Sequence, residues 1–390
     1  MKILFVTRVP ITAVRFILPL ADMLRGRGDE VEFAFGPGEG LQRMLASGYA
    51  CNSLNLKMNS LSVLNVAAIR ELYRVIKRGR YDVVHTYSPT VGLYGRIAAQ
   101  CAGVPYVVHS VIGSMAVSGV PFIHRAIYFV TELLTSRLVD RFVTLNEDDT
   151  RTLTRWKMTS PDRITTLQYE YGVDLRRFSP GALNQEEIRA IRDQYRLDPG
   201  VPTIGFVGRL IEAKGVLELL EAFKLLRSRG SKAKLLFVGS VLSTDKDKET
   251  IHRLRRRVKE DDLEDDVVFF GSRENVPLFL SLMDVVVLPS YNEGFPRIPI
   301  EAGAMGKPSI CTAVAGAHRA IVDGETGFIV PLYDVERLAS AIGALVNDQG
   351  LLQRMGAAAL ERTTRLFDQE KILEQQMTVY DPFKIACANA

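Results

Sequence analysis

The chain has 390 residues, which exceeds one core of ordinary size, so we expect two domains. Its composition, 47% hydrophobic and 24% charged, is close to that of average soluble proteins and excludes disorder throughout the chain. The formal net charge is +4, and the basic excess lies in residues 1–180. Neither a long apolar run nor cysteines at metal-ligand spacing occur, so we expect no membrane-spanning helix and no cysteine metal site.

Strand-like and helix-like patterns alternate through the first half of the sequence. Short apolar runs predict strands at Lys2–Val6, Val31–Phe35, Tyr81–His85, Pro105–His109 and Phe142–Leu145. Helical patterns separate them, one with Phe16, Leu20 and Leu24 on a common face and others over Ile69–Ile76 and Gly92–Cys101. Strands that alternate with helices predict a parallel sheet.

The same alternation begins again at Pro202. Strands are predicted at Pro202–Gly208, Lys234–Gly239, Val267–Phe270 and Val285–Pro289, with helices over Val216–Arg227 and up to Leu254. We therefore predict an α/β fold with two Rossmann-like domains, residues 1–180 and 181–368, and a C-terminal helix or tail, residues 369–390, that packs back on the first domain. Ligands of open parallel sheets bind at the carboxyl ends of the strands, so the two sheets are expected to face a central cleft.

The most informative stretch, residues 284–306, combines a buried strand, a polar turn and a helix that begins near Arg297. Glu293 lies in the turn and Glu301 about one turn inside the helix, on either side of a Gly-Phe-Pro corner. Free amides at a helix N-terminus bind anions such as a diphosphate. Glutamates near a helix start also complement the helix dipole, and taken alone the two residues fit that role as well.

A pair of cations follows the first strand of the second domain. Arg209 and Lys214 lie in the segment GRLIEAKG, residues 208–215. A guanidinium and an ammonium group at a strand end form a clamp for a pyrophosphate, and they stabilise the negative charge that grows on it as a leaving group. Taken alone, the two residues also fit a solvated surface pair.

Together these motifs resemble those of a known enzyme family. GRLIEAKG at 208–215, SYNEGFPRIPIEAGAMGKPSI at 290–310 and DGETGFIVP at 323–331 are similar to the signature set of family 4 glycosyltransferases, also termed glycosyl transferases group 1, which have the GT-B fold. In the first domain, YDVVHTYSPTVGLYGRIAAQCAGVPYVVHS at 81–110 resembles the capsule and O-antigen branch. The likeness covers nearly the whole chain and implies a hexosyltransferase.

The resemblance assigns roles to four charged residues by their positions in the motifs. Arg209 and Lys214 match the family's diphosphate-binding pair. Glu301 matches the glutamate that hydrogen-bonds the ribose, and Glu293 matches the one that contacts the donor sugar. The implied catalytic residues are thus Glu293, Arg209 and Lys214, and the departing phosphate oxygen would itself accept the acceptor proton.

Further substrate-binding residues are expected in loops at strand ends. The resemblance implies contacts with sugar and phosphate at Gly294, Phe295, Pro296 and Arg297, and contacts with the nucleotide base at Arg273 and Val276. In the first domain, His85 and Asn146 lie at predicted strand ends, where they are expected to line the acceptor side. His85 and His109 are alternatively buried core residues. Asn146 is alternatively the N-cap of the helix that follows.

The sequence departs from the family pattern at three places. Where many relatives carry a histidine before a glycine, this chain has Ile112, so no catalytic histidine is expected at that position. The first loop, Thr7–Val14, lacks paired glycines, and Arg8 or Arg15 is expected to serve instead. Arg319 stands where relatives often carry an acidic residue, which predicts an altered contact or loop orientation.

The resemblance implies a retaining reaction without a cofactor or a divalent metal. The literal DxD sequence, Asp245-Lys246-Asp247, lies in a lysine-rich polar loop, where we expect no metal. The donor is predicted to be a UDP-sugar, with a GDP-sugar as second choice, and the acceptor a glycan or polyprenyl-linked lipid of cell-surface polysaccharide synthesis. Two alternatives stay open: a nucleotide-sugar epimerase of GT-B fold, and a non-catalytic subunit that binds a nucleotide sugar.

The expected location is the cytoplasm, with peripheral contact at the cytoplasmic face of a membrane. An anionic lipid surface would meet the apolar segment Val117–Val130, Leu133, Leu134 and the basic residues Arg70, Arg74, Lys77, Arg78 and Arg80. A solvated helix face is the alternative for the basic residues. Nucleic acid is not an expected partner, because the basic residues carry no interleaved aromatic side chains.

Overall fold

The computed structural model describes residues 1–55, 66–87, 89–111, 122–145, 147–167, 169, 171–242, 245–293, 295–314 and 316–388. Contacts divide the chain into two compact units, Met1–Tyr171 with Glu370–Ala390, and Gly172–Gln369. The division falls after Tyr171, nine residues before the predicted boundary at 180. The reason is that Val173 belongs to the second unit: its N–H donates to the Phe367 carbonyl at 2.7 Å, and its carbonyl accepts from Gln369 N–H at 3.1 Å.

The first unit is built on a seven-stranded parallel sheet. Its strands are β1 Lys2–Thr7, β2 Glu30–Phe35, β3 Ala50–Ser53, β4 Val83–Tyr87, β5 Tyr106–Val111, β6 Arg141–Thr144 and β7 Ile164–Thr166, in the order β3-β2-β1-β4-β5-β6-β7. The helices are α1 Pro10–Thr12, α2 Leu18–Gly26, α3 Leu41–Ala46, α4 Val66–Gly79, α5 Pro89–Ala102, α6 Phe122–Thr135 and α7 Glu147–Arg155. The strand order reverses between β1 and β4, which is the switch point of an open α/β sheet.

The second unit repeats this plan with a six-stranded parallel sheet. Its strands are β8 Thr203–Val207, β9 Lys234–Val238, β10 Val267–Gly271, β11 Val285–Leu288, β12 Ser309–Thr312 and β13 Gly327–Val330, in the order β10-β9-β8-β11-β12-β13. The helices are α8 Gln185–Gln194, α9 Val216–Ser228, α10 Thr250–Glu260, α11 Val276–Ser281, α12 Arg297–Ala304, α13 Ala317–Ala320, α14 Val335–Asn347 and α15 Gln349–Leu366. Here the switch point lies between β8 and β11.

The C-terminal segment returns to the first unit. It forms α16 Gln369–Met377 and α17 Asp381–Ala388. Tyr380, between these helices, is fully buried, and its hydroxyl lies 2.7 Å from Nδ1 of His85. The Tyr106 hydroxyl donates to the Val379 carbonyl at 3.1 Å. Met377, Val379 and Tyr380 are therefore part of the first unit's core.

The predicted α/β class with two Rossmann-like domains is confirmed. Four short strands were not predicted: β3, β7, β12 and β13. Each has three or four residues, and β3 (ACNS), β7 (ITT) and β12 (SICT) also lack the continuous apolar run by which the equally short β11 (VVVL) was predicted. Among the described residues, no helix combines the length and the apolar character that a bilayer crossing requires.

A buried ion pair connects Arg96 of α5 with Glu132 of α6. The Arg96 guanidinium donates two hydrogen bonds to the Glu132 carboxylate, at 2.7 and 2.8 Å, and its Nε donates to the Gly92 carbonyl at 3.1 Å. Both charged side chains are excluded from solvent. His109 packs against Gly92, where a Cβ would come within 2.5 Å of the imidazole. Two buried charges are tolerated because each satisfies the other, so the pair fixes α6 on α5.

We predict that Glu132→Ala lowers the free energy of unfolding of the first unit by about 3–5 kcal/mol, because it leaves the Arg96 charge buried without a partner. The double variant Arg96→Met with Glu132→Leu removes both charges and is expected to be close to wild type or more stable. Chemical denaturation of the three proteins measures this. A single variant no less stable than the double one would contradict the prediction.

Candidate active site

Two loops of the second unit converge at the carboxyl ends of β8 and β11. Arg209 and Lys214 lie in the loop after β8, and Glu293 lies in the loop after β11. The loops are joined by a hydrogen bond from the Tyr291 N–H to the Ala213 carbonyl at 3.0 Å. Because β8 and β11 flank the switch point, where open α/β sheets bind their ligands, this edge is the candidate active site of the unit.

Two glycines allow the chain segments that follow β8, β9 and β11 to come close together. Gly215 has φ +67°, and a Cβ there would lie 2.0 Å from the Pro289 carbonyl oxygen. Gly239, at the end of β9, has φ +140°, and a Cβ there would lie 1.8 Å from the Gly208 carbonyl oxygen. Any side chain would push the strand ends apart, so only glycine fits at either position.

Both predicted cations are held by carboxylates. The Lys214 ammonium group donates to Glu293, and the two side chains are 18% and 15% exposed. The Arg209 guanidinium pairs with Asp245, whose second oxygen accepts from the Leu242 N–H at 2.9 Å. Arg209 itself is 45% exposed. An ammonium group has three donors and a guanidinium five, so each cation keeps donors for a ligand while its position is fixed.

The carboxylates of the DxD sequence are engaged with protein groups. Asp245 holds Arg209, and Asp247 accepts from the Glu212 N–H at 2.7 Å and from the N–H and hydroxyl of Thr250 at 3.1 and 2.7 Å. Burial opposes the ionisation of Asp247, but these donors outweigh it and hold its pKa below the ordinary value. Within the described ranges, no three His, Cys, Asp or Glu side chains cluster as a metal site requires.

Glu301 is a buried acceptor inside the first turns of α12. Its carboxylate lies 3.4 Å from Nη2 of Arg297, one turn earlier, and the residue is 7% exposed. Burial raises the pKa of Glu301, while the positive charges of Arg297 and Arg177 oppose that rise. Pro296 occupies the N-cap position and provides no capping side chain.

Arg177 was missed by sequence reasoning. Its Nη2 donates to the Glu274 carbonyl at 2.8 Å, in the loop that follows β10, and its charge also acts on Glu301. It therefore links the segment predicted to hold the base with the glutamate predicted to hold the ribose. Arg177 lies in the stretch GVDLRRFSP, residues 172–180, and nothing in that stretch indicates which residue the arginine contacts.

The remaining predicted residues of this unit are distributed over two loops. Arg273 is exposed, with its guanidinium carbon 5.7 Å from the centre of the Phe279 ring, and Val276 is the half-buried first residue of α11. Phe295 lies directly before the N-cap of α12, and the Arg319 guanidinium lies 5.1 Å from the centre of its ring. Gly294 lies outside the described residues.

In the first unit, His85 is a satisfied core residue. Its Nε2 lies 2.8 Å from the Ser110 hydroxyl, and its Nδ1 is bonded to Tyr380. Burial, and secondarily His109, hold its pKa well below the ordinary value, so the imidazole is neutral. The side chain also lines a cavity of this unit together with Tyr87 and Ser110, so the predicted contact with the acceptor stays a prediction.

Other expectations for the first unit concern its loops. Arg8 is exposed at the end of β1, and a π-helical turn, Ala13–Ile17, follows it. The side chain of Arg15, in that turn, is outside the described part of the structure, and so are Asn146 and Ile112. These predictions therefore stay predictions.

The two halves of the chain match two family models. Residues 12–170 match the glycosyl transferase 4-like domain, and residues 187–362 match the glycosyl transferases group 1. Among solved structures, HepE from Anabaena in complex with UDP is similar over 98% of this chain and 100% of its own, with a TM-score of 0.81 and 18% identity. The shared fold is of the GT-B class, as predicted.

Curated relatives agree with the family models. The capsular polysaccharide biosynthesis glycosyltransferase CapM of Staphylococcus aureus is 25% identical over 93% of this chain and 92% of its own length. The UDP-Gal:alpha-D-GlcNAc-diphosphoundecaprenol alpha-1,3-galactosyltransferase of Escherichia coli is 29% identical over 77% of this chain and 74% of its own. The chain is therefore a glycosyltransferase and belongs to the glycosyl transferases group 1 family.

Proposed function

We propose that the protein transfers a hexose, with retention of anomeric configuration, from a UDP-sugar bound by the second unit to a glycan or polyprenyl-linked acceptor. The observation that carries the proposal is the joined pair of loops that brings Arg209, Lys214 and Glu293 to one switch point. The names of the relatives support the substrate classes: one is a capsular polysaccharide enzyme, and another uses UDP-Gal and a diphosphoundecaprenol-linked acceptor. A GDP-sugar is the second choice of donor.

The pyrophosphate is the part of the donor that the proposed site binds through charged groups. As the glycosidic bond breaks, negative charge grows on the phosphate that departs from the sugar. Arg209 and Lys214 face that charge in positions already fixed by Asp245 and Glu293, so little ordering is required when the donor binds. The N-terminus of α12 adds a partial positive charge.

Two glutamates complete the proposed donor site. Glu293 contacts sugar hydroxyls, and Glu301 accepts a hydrogen bond from the ribose. The positive charges of Arg209 and Lys214 and the helix N-terminus would neutralise the leaving group, so we propose a reaction that needs no divalent metal. The departing phosphate oxygen takes the proton of the acceptor hydroxyl, which the first unit binds and orients.

We also propose peripheral contact of the first unit with anionic lipid. Its exposed apolar side chains on α6 and just after α7 are Val130, Leu133, Leu134 and Trp156. The ring centres of Phe129 and Trp156 lie 5.0 Å apart, so the two helices contribute to one patch. Arg155 and Lys157, exposed on either side of the tryptophan, would face lipid headgroups.

The donor site is tested by UDP binding. Lys214→Ala removes a charged donor, so we expect UDP affinity to fall roughly tenfold to a hundredfold. Calorimetric titration without metal measures it, and Lys259→Ala, a change of an exposed lysine on α10, is the matched control.

Unchanged affinity in Lys214→Ala would contradict the assigned role, and a wild-type protein that binds none of UDP, GDP and ADP at millimolar concentration would contradict the donor class. Analysis of the reaction products, with and without an acceptor, then distinguishes the three candidate functions. A transferase needs an acceptor for sugar transfer, an epimerase isomerises the donor alone, and a binding subunit yields no product.

The pH dependence of UDP affinity tests Glu301. A charged carboxylate accepts a ribose hydrogen bond more strongly than a neutral one. Because burial raises the pKa of Glu301, affinity should be constant above that pKa and should fall as the pH drops through it, starting at a higher pH than for an exposed glutamate. Glu301→Gln lacks this ionisation, and the ionisation of UDP cancels in the ratio of wild-type to variant affinity. A ratio that does not change with pH would exclude the role.

The lipid patch is tested by sedimentation with vesicles. The double variant Leu134→Ser with Trp156→Ala is expected to bind phosphatidylglycerol vesicles several-fold more weakly than wild type, since it removes apolar area and an interfacial aromatic. Leu45→Ser, at an exposed leucine on α3, is the control. Equal loss in the control, or equal binding to phosphatidylcholine vesicles, would count against an anionic lipid surface at this patch.

A further inference from the structure

Two arginines and two phenylalanines form a closed cluster behind the loop that carries Glu293. The Arg319 guanidinium carbon lies 5.1 Å from the centre of the Phe295 ring, the Phe295 and Phe367 ring centres are 5.9 Å apart, and the Arg362 guanidinium carbon lies 5.6 Å from the Phe367 ring centre. Nη2 of Arg362 donates to the Arg319 carbonyl at 3.0 Å and closes the set. We call these four residues the Arg-Phe cluster.

The Arg-Phe cluster is tied to the loop by a second contact. The Gly316 N–H, in the turn that leads into α13 and Arg319, donates to the Glu293 carbonyl at 3.0 Å. The turn that contains Gly316 therefore holds the backbone of Glu293. The same turn leads to Arg319, whose guanidinium lies over the ring of Phe295, two residues after Glu293. Both contacts fix the loop between β11 and α12.

The far side of the Arg-Phe cluster rests on α15, which packs tightly on α12. A Cβ at Gly303 in α12 would come within 2.4 Å of the Thr363 hydroxyl oxygen, and Thr363 follows Arg362 in α15. The two helices therefore form a firm base. Phe295 is held between this base and the Arg319 side chain, at the point where the loop enters α12.

We propose that Arg319 is a positioning residue for the donor sugar, which acts through Phe295 to hold Glu293 in place before the N-terminus of α12. The inference rests on the proposed function, in which Glu293 contacts the sugar. The positive charge of the side chain is essential, because the face of an aromatic ring carries partial negative charge that attracts a guanidinium and repels a carboxylate.

The proposed role of Arg319 concerns binding of the sugar part of the donor rather than binding of its nucleotide part. The groups proposed to bind the diphosphate, Arg209 and Lys214, lie in the loop after β8, and Arg177 contacts the loop after β10. Within the described part of the chain, only Lys214 of these groups is linked to the Arg-Phe cluster, through its ion pair with Glu293. A change at Arg319 should therefore weaken binding of the hexose part more than binding of UDP, which is affected only through the ion pair of Glu293 with Lys214.

The test compares UDP, UDP-glucose and UDP-galactose as calorimetric ligands of Arg319→Ala, Arg319→Lys and Arg319→Glu. We expect Arg319→Ala to weaken the better-bound UDP-hexose about tenfold and UDP by a clearly smaller factor, about twofold to threefold. Arg319→Lys should restore part of the loss, and Arg319→Glu should be weaker than Arg319→Ala. Partial unfolding would lower the titrated stoichiometry rather than the affinity, so it is recognised separately.

Arg255→Ala is the matched control, because Arg255 lies 5.2 Å from the centre of the Phe269 ring in β10, at the opposite edge of the same sheet. In a Phe295→Leu background, Arg319→Ala should have no further effect on the UDP-hexose. Equal loss for UDP and UDP-hexose, or no loss beyond that of Arg255→Ala, would overturn the role of Arg319 alone. A wild-type protein that binds no UDP would instead overturn the proposed donor, and this inference with it.

Discussion

The close approach of the loop after β8 to the end of β11 is the constraint on which the candidate site depends. It exists because Gly215 leaves room for the Pro289 carbonyl, and it is held by the hydrogen bond between Tyr291 and Ala213. Its consequence is that Lys214 and Glu293, 79 residues apart in sequence, form an ion pair. Contacts of this kind are common in parallel sheets, because the carboxyl ends of all strands, and the loops that follow them, lie at the same edge.

The charge pairs of this protein differ in solvent exposure, and the buried pair has a different role from the exposed ones. Arg96 and Glu132 are at most 1% exposed and make paired hydrogen bonds with each other, so they serve the packing of α5 and α6. Lys214 and Glu293 retain access to solvent, and Arg209 is nearly half exposed although its partner Asp245 is buried. The accessible pairs have defined geometry and unused donors, which is the state in which a cation meets a diphosphate at low cost in ordering.

The first unit offers a different chemical surface. His85 and His109 are buried, and burial keeps the pKa of each well below its ordinary value. Both imidazoles are therefore expected to be neutral near pH 7. Apolar side chains of α6, Trp156 and basic side chains of α4 are among the exposed groups of this unit.

The sequence by itself determined the class of fold, because buried strands of parallel sheets are continuous apolar runs and the helices between them are periodic. It also determined that Arg209, Lys214 and Glu293 lie in loops after predicted strands, and that Glu301 lies in the helix that follows one of these loops. Only the tertiary structure decided their partners. Asp245 is 36 residues from Arg209, and Glu274 is 97 residues from Arg177. Periodicity gives the direction and the end of a strand but not the path of the loop beyond it, and that path depends on contacts with other loops of the same sheet edge.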